Sequence, residues 1–346
     1  MKWLGGVWLG LAIFLLVGCQ LGPVAAELPV RESRIAFMSN RDGNFEIYVM
    51  DRTGENLTKL TDGTAAHKLL PAWSDGANAY GYLEDRGGAG LVMLRMDGFG
   101  ENVQPLNTDL AIDPSPLSWS PDGAWIGFGA GRENNAEVYV VDALGETVIN
   151  LSNHPAEDLF GDWSPDGKQV VFVSDRDGPP VIYLADLEGS ELMQITSPEV
   201  GSGRPAWSPD GRHIAYMTNQ DGGDIEIYTI HTETGEMARL TENPGFDGFP
   251  HWSPDGSKIA FLTDRDGNAE IYVMNADGSE QINITNLPNS NESVQGDFSW
   301  SPDGGQILFQ SVENQNVEVF VMNADGSEQI NLTNDPAIDI ASVWVR

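Results

Sequence analysis

The residues best suited to binding or proton chemistry in this chain recur at one place in a repeat. About five residues before each of seven tryptophans stand Lys68, Asp113, Asp158, Ser202, Asp247, Gln295 and Asp339. Before Trp119 the same offset falls on Pro114, and Asp113 takes the equivalent place one residue out of step. A ring of four carboxylates and one lysine makes a negative mouth that focuses cations or basic side chains. Lys68, Asp113, Asp158, Asp247, Gln295 and Asp339 are therefore the candidate ligand-binding residues; the alternative is that they cap neighbouring turns. His67, His154 and His251 lie in the same loops or beside a tryptophan and offer imidazoles for metal or proton chemistry, whereas His213 and His231 fall in or beside strands away from that mouth. Only Lys68 and Arg204 are basic in those loops, so an acidic mouth opposes an anionic substrate. No Gly-x-Ser-x-Gly elbow accompanies them, and no catalytic residue is assigned.

Paired carboxylates also occur in turns. Asp175-Arg176-Asp177-Gly178 and Asp264-Arg265-Asp266-Gly267 place two acids two apart, as a hard cation favours. An EF-hand loop has its glycine sixth and a glutamate twelfth; here glycine is fourth with no matching glutamate. A structural turn is the expectation, with a structural Ca²⁺ as its alternative and no other cofactor or metal site.

The elements that must position these residues are set by the tryptophans. Trp73, Trp119, Trp163, Trp207, Trp252, Trp300 and Trp344 follow one another at intervals of 46, 44, 44, 45, 48 and 44 residues, and five of them open Trp-Ser-Pro-Asp-Gly. A fixed period in this range marks a repeat architecture. In the sixth unit, Lys258 to Thr263 reads as a strand, Asp264 to Asn268 as a turn, Glu270 to Met274 as a strand, Asn275 to Ser279 as a turn, and Gln281 to Thr285 as a last strand. With the tryptophan segment this makes four antiparallel strands per unit. The middle two are apolar on both faces, as in a sheet covered on both sides. The last alternates, with Ile282 and Ile284 on one face, and reads as a half-exposed edge.

Four-stranded units that cover one another on both faces stack radially into a β-propeller. A solenoid would carry polar terminal caps. Here the ends are complementary: the first unit starts at Arg34-Ile35-Ala36-Phe37 without a tryptophan segment, and the last residues are the lone segment Ala341-Ser342-Val343-Trp344. Joining them gives an all-β, seven-bladed propeller whose C-terminal strand completes the N-terminal blade and leaves no open edge. The tryptophans are read as core, each removing ~150–250 Å² from water when buried.

The series Trp-Ser-Pro-Asp-Gly, Ile-Ala-Phe, Ser-Asp-Arg-Asp-Gly, Ile-Tyr-Val-Met and Leu-Thr resembles the WD40-like (PD40) propeller repeat of TolB-type proteins over residues 34–346. The resemblance implies a propeller in a bacterial envelope or secreted setting that binds proteins. TolB itself is similar only in its propeller, having six blades and an additional α/β domain for which this chain leaves no room. Seven-bladed propeller lyases of acidic sugars use histidines and metal ions in the channel, and this likeness supplies the rival expectation of a metal-dependent saccharide-active enzyme.

Residues 1–18 read as an export signal, with Lys2 as the positive region and Leu4 to Gly18 uncharged and apolar. Its 15 apolar residues are fewer than the ~20 a spanning helix needs. Leu16-Val17-Gly18-Cys19 resembles the bacterial lipobox, which implies cleavage before Cys19 and its lipidation. Cys19 is also the single cysteine, so no intrachain disulfide is possible. Residues 19–33 read as a short tether and 34–346 as the propeller.

The formal net charge is -34, from 18 Lys and Arg against 52 Asp and Glu. Such a chain repels nucleic acid and anionic lipid surfaces at long range. The expectation is a monomeric, lipid-anchored, non-catalytic propeller at the bacterial cell envelope, facing periplasm or exterior, that binds a protein, peptide or envelope component at its channel mouth.

Overall fold

The computed structural model describes residues 33–346, apart from 64–65, 107–108, 133–134, 189–190, 288–293, 295–297 and 314–315. The expected export signal, Cys19 and all of the expected tether but Ser33 lie outside the described residues, as does Gln295.

Seven four-stranded antiparallel sheets form the ring. The fourth blade shows the plan: Asp158–Trp163, Gln169–Ser174, Val181–Asp186 and Leu192–Gln194 run in that order from the inner strand outward. The first blade is composite, with the inner strand Asp339–Val345 paired to Arg34–Ser39. Blades 2 to 7 then follow the chain, with inner strands His67–Ser74, Ser118–Trp119, Asp158–Trp163, Ser202–Trp207, Asp247–Trp252 and Ser299–Trp300. Packing alternates blade against blade: one cluster joins Val138 and Val140 of blade 3 to Trp163 and Phe172 of blade 4. The middle strands are buried on both faces, as Val181–Asp186 illustrates.

The repeat motif has a physical reading in the turn after each inner strand. In Ser164-Pro165-Asp166-Gly167, the Ser164 hydroxyl accepts the Gln169 N–H at 2.9 Å and donates to Asp166 at 2.7 Å, while Asp166 accepts the Lys168 N–H at 3.1 Å. Gly167 sits at φ 69°, the left-handed region that glycine enters without steric cost. Most of the tryptophans then tie their blade to the one before. Five indole N–H groups donate to the carbonyl of the residue preceding the previous tryptophan, as Trp163 does to Ser118 at 3.0 Å and Trp344 to Ser299 at 3.3 Å. Four of the seven tryptophans are buried, and Trp73, Trp252 and Trp300 are half-buried.

One detail departs from the sequence reading. Ile282 and Ile284 share a strand face, yet Ile282 is 59% exposed and Ile284 2%. The next blade's turn at Gly326 closes over Ile284, where a Cβ on that glycine would meet the Ile284 carbonyl at 2.5 Å, and it does not extend to Ile282. After the inner strand of the first blade, Arg346 donates to the Pro302 carbonyl of blade 7 at 2.8 Å and pairs with Asp75 of blade 2 at 3.5 Å.

Candidate functional site: the channel mouth

The start of each inner strand and the turn between the second and third strands lie on one face of the ring, because turn residues reach strand starts. Asp158 is fully buried and Arg176, from the Asp-Arg-Asp-Gly turn, reaches it at 3.1 Å. Asp247 pairs with Arg265 at 2.7 Å and Asp339 with Arg41 at 3.2 Å in the same way. Each guanidinium also lies over two rings of its own blade: Arg176 over Phe172 and Tyr183, Arg265 over Phe261 and Tyr272, Arg41 over Phe37 and Tyr48. Its Nε donates to a second-strand hydroxyl, Ser174, Thr263 or Ser39.

The other blades vary this theme in a compensated manner. In blade 2 the rim residue is Lys68, and the second strand supplies Glu84, which pairs with Lys68 at 2.9 Å and Arg86 at 2.5 Å. Blade 5 has Ser202 at the rim and no arginine at the matching turn position, where Gln220 stands. In blades 1, 2, 4 and 6 the rim charge thus comes with its own counter-charge inside the blade. The negative ring anticipated from sequence is largely neutralised. The unpartnered carboxylate oxygens of Asp158 and Asp247 are shielded from solvent. Asp113 is half-buried, and burial, with Glu157 nearby as the lesser cause, pushes its carboxyl above the usual range. Burial likewise raises Asp339, against the opposing pull of Ser39 and Arg41.

The paired acids of the turns are engaged by protein groups. Asp177 accepts the Tyr183 hydroxyl and Asp266 the Tyr272 hydroxyl. Asp175 accepts the Glu157 N–H at 3.0 Å and Asp264 the Phe246 N–H at 2.7 Å. His67, His154 and His251 have different surroundings. His67 Nδ1 accepts the Phe45 N–H at 3.1 Å, the His251 ring lies 4.7 Å from Phe298, and His154 Nδ1 is buried without a partner. His213 and His231 stack edge-on at 5.0 Å at the opposite end of blade 5. Among the described residues, no three His, Cys, Asp or Glu side chains gather as metal ligands.

Sequence reasoning missed two features of the inner strands. The first is a recurrent bulge. Three residues before the tryptophan, Leu70, Arg204, Phe249 and Ala341 all take left-handed backbone, with φ between 49° and 55°, and the pairing with the second strand slips at each. Non-glycine residues there cost of order 1–3 kcal/mol each and cluster at functional sites. Pro71, Pro205 and Pro250 follow three of them, which suits a bulge because proline has no N–H to pair. Of the four, Arg204 is exposed and Phe249 half-buried, and on the blade 4 inner strand Leu159 is 60% exposed.

The second is Asp162. Its carboxylate accepts the N–H of Trp163 at 2.8 Å and of Trp207, in the next inner strand, at 2.9 Å. It joins blades 4 and 5 where the Trp207 indole has no partner. Crowding by protein raises its carboxyl to about 6, the two N–H bonds opposing the shift. Nothing in the repeat signals it, since the other residues at this position are Ala72, Ser118, Ala206, His251, Ser299 and Val343.

These features define a seven-bladed β-propeller of PD40-type repeats with an elaborated mouth. The TolB beta propeller domain model matches residues 110–201 and 195–297, more than half of the chain, and the chain belongs to that family. It is 33% identical over 122 residues to the Tol-Pal system protein TolB of Desulfosudis oleivorans, across 35% of this chain and 27% of that protein. The matched stretch spans about a quarter of the length of the curated relatives. Among solved structures it is similar to TolB from Acinetobacter baumannii, with 24% identity and a TM-score of 0.53 over 72% of this chain and 63% of that one. It is also similar to an oligogalacturonate lyase in complex with manganese, with 19% identity and a TM-score of 0.69 over 84% and 85%. At these identities both structures speak for the fold.

Proposed function

We propose that this chain is a non-catalytic binding scaffold of the bacterial cell envelope that holds a protein or peptide partner at the channel mouth. One observation carries this reading. The mouth combines neutralised, buried rim charges with Arg204 and Phe249 on strained bulges and with an exposed Leu159, so a rigid base presents a few accessible groups. In this reading Lys68, Asp158, Asp247 and Asp339 hold the rim in shape, Asp113 lies on its edge, and Leu159, Arg204 and Phe249 meet the partner. The likeness to TolB proteins supports an envelope partner. Cys19 would tether the propeller by lipid, facing periplasm or exterior, and residues 1–18 would be removed on export.

Two measurements test these parts separately. Leu159→Arg should cut recovery of envelope partners at least tenfold in a pull-down without changing the thermal midpoint; undiminished recovery would refute the mouth assignment. Cys19→Ser should move the chain from the membrane to the soluble fraction. The fold it shares with a manganese-bound lyase favours one rival, a metal-dependent saccharide enzyme. That rival requires turnover of an oligosaccharide panel with added Mn²⁺ or Ca²⁺, lost in His67→Ala or His251→Ala.

A further inference from the structure

Arg204 stands out among the basic residues of the mouth. Arg41, Arg176, Arg265 and Lys68 each pair with a carboxylate of their own blade. Arg204 is exposed, and among the described residues no carboxylate pairs with it. Its guanidinium lies 4.6 Å from the centroid of the Phe249 ring, one blade further on, well within the range of a cation–π contact. Arg204 and Phe249 both hold left-handed backbone, at φ 49° and 55°, and both precede a proline. That conformation is disfavoured for a residue before proline, so the surrounding strands must enforce it. The result is a pre-oriented cation with its donors free, the arrangement that suits planar carboxylate recognition.

The chemistry beside it narrows the ligand. On the preceding inner strand, four residues before Trp163, Leu159 is 60% exposed, and the Phe246 ring lies 5.9 Å from that of Phe249. The rim thus offers apolar, cationic and aromatic groups in succession along blades 4, 5 and 6. The net charge of -34 does not defeat this. At physiological salt exposed charges are screened beyond ~8 Å, and the nearest rim acids already carry arginine partners.

We propose that Arg204, held over Phe249, anchors a carboxylate of the peptide bound at the mouth, with Leu159 receiving an apolar side chain next to that carboxylate. This rests on the mouth-binding reading. The partner segment is an extended peptide with an acidic residue flanked by an aliphatic one. Phe249 acts as a positioning residue for the guanidinium.

The test uses the full chain and defined probes: the amidated peptide acetyl-Leu-Glu-Leu-Ala, its Lys-for-Glu counterpart, and trigalacturonate, each titrated to millimolar concentration. The Glu peptide should bind at least tenfold more tightly than the Lys peptide. Arg204→Gln should abolish that preference, Arg204→Glu should invert it, and Arg204→Lys should retain part of it. Thermal midpoints should stay unchanged, because the guanidinium is exposed. A Glu peptide that binds Arg204→Glu as well as the parent, yet is lost in Leu159→Arg, overturns the carboxylate anchor and leaves the mouth standing. Binding indifferent to both substitutions overturns both claims. Failure of the Glu peptide to bind, or Arg204-dependent binding of trigalacturonate alone, overturns the peptide assignment.

Discussion

Removing one member of the buried Asp158 and Arg176 pair should destabilise the propeller far more than removing an ordinary surface ion pair. Asp158 is fully buried and Arg176 is 10% exposed at the side chain. Truncating Asp158 to Ala leaves the guanidinium confined with the Ser174 hydroxyl and the Ser152 carbonyl as its remaining oxygen partners. Breaking a buried pair in this way costs about 3–5 kcal/mol. Arg176→Ala strands the Asp158 carboxylate and also removes the stack over Phe172 and Tyr183, itself worth about 0.5–2 kcal/mol. Residual access of water to Arg176 argues for the lower end, so each single variant should lose about 3 kcal/mol from a total of about 5–15 kcal/mol. The double Asp158→Ala, Arg176→Ala variant should cost about 1–3 kcal/mol less than the sum, since neither charge is left alone. Urea unfolding of the four proteins, read by tryptophan fluorescence, supplies the cycle. Single variants within about 0.5 kcal/mol of the parent would refute the reasoning and return Asp158 to the pool of ligand contacts. The same arithmetic means that charge reversal at Asp158, Asp247 or Asp339 reports on folding, and cannot serve as a binding test.

Three further outcomes follow from other parts of the ring. Asp162 has its carboxyl raised from 3.8 to about 6, so the folded chain takes up this proton first, and the stability contributed by the protonated form is lost as pH rises between those values. At ~1.4 kcal/mol per unit, discounted for the partial exposure of Asp162, the stability of Asp162→Asn relative to the parent should rise by about 1–3 kcal/mol between pH 4 and pH 7, against a pH-independent cost because the amide oxygen replaces only one of the two acceptors for the Trp163 and Trp207 N–H groups; a difference that does not change with pH would contradict this. Deleting residues 341–346 removes Trp344, Val345 and the Arg346 bridge, which should abolish cooperative unfolding; a truncated chain melting like the parent would refute closure by the C-terminal strand. Gly127→Ala should cost about 1–3 kcal/mol, because its Cβ would stand 2.0 Å from the Phe160 ring; an unchanged urea midpoint would show that Phe160 yields freely.

The blades were legible because a repeat repeats its packing. Each anchor tryptophan lies in the same seam, and the Ser-Pro-Asp-Gly turn that follows has one hydrogen-bond solution, seen at Ser164 and Asp166. The composite first blade could be read from Ala341 to Trp344 because an inner strand without its sheet needs one. The rim was legible in position and misleading in charge. Asp158, Asp247 and Asp339 stand where expected, but their arginines lie 18 residues downstream or, for Asp339, at the far end of the chain. A signal was present: the three blades with Asp five residues before the tryptophan carry Arg in the turn and Ser or Thr in the second strand, while Lys68 comes with Glu84. The bulges were not legible, since Leu70, Arg204, Phe249 and Ala341 share backbone conformation and no side-chain chemistry. Asp162 was hidden because its raised carboxyl depends on how two blades meet.

The claim that the mouth is the binding surface is tested most directly by site-specific photo-crosslinking in the native envelope. A crosslinking residue placed at Leu159 on the mouth, at Ile282 on the outer edge, and at Lys168 on the opposite face samples the three exposed regions of the ring. A discrete adduct from Leu159 alone, lost in Arg204→Glu, is the predicted result. Adducts that concentrate at Ile282 or Lys168, with none at Leu159, would contradict the account.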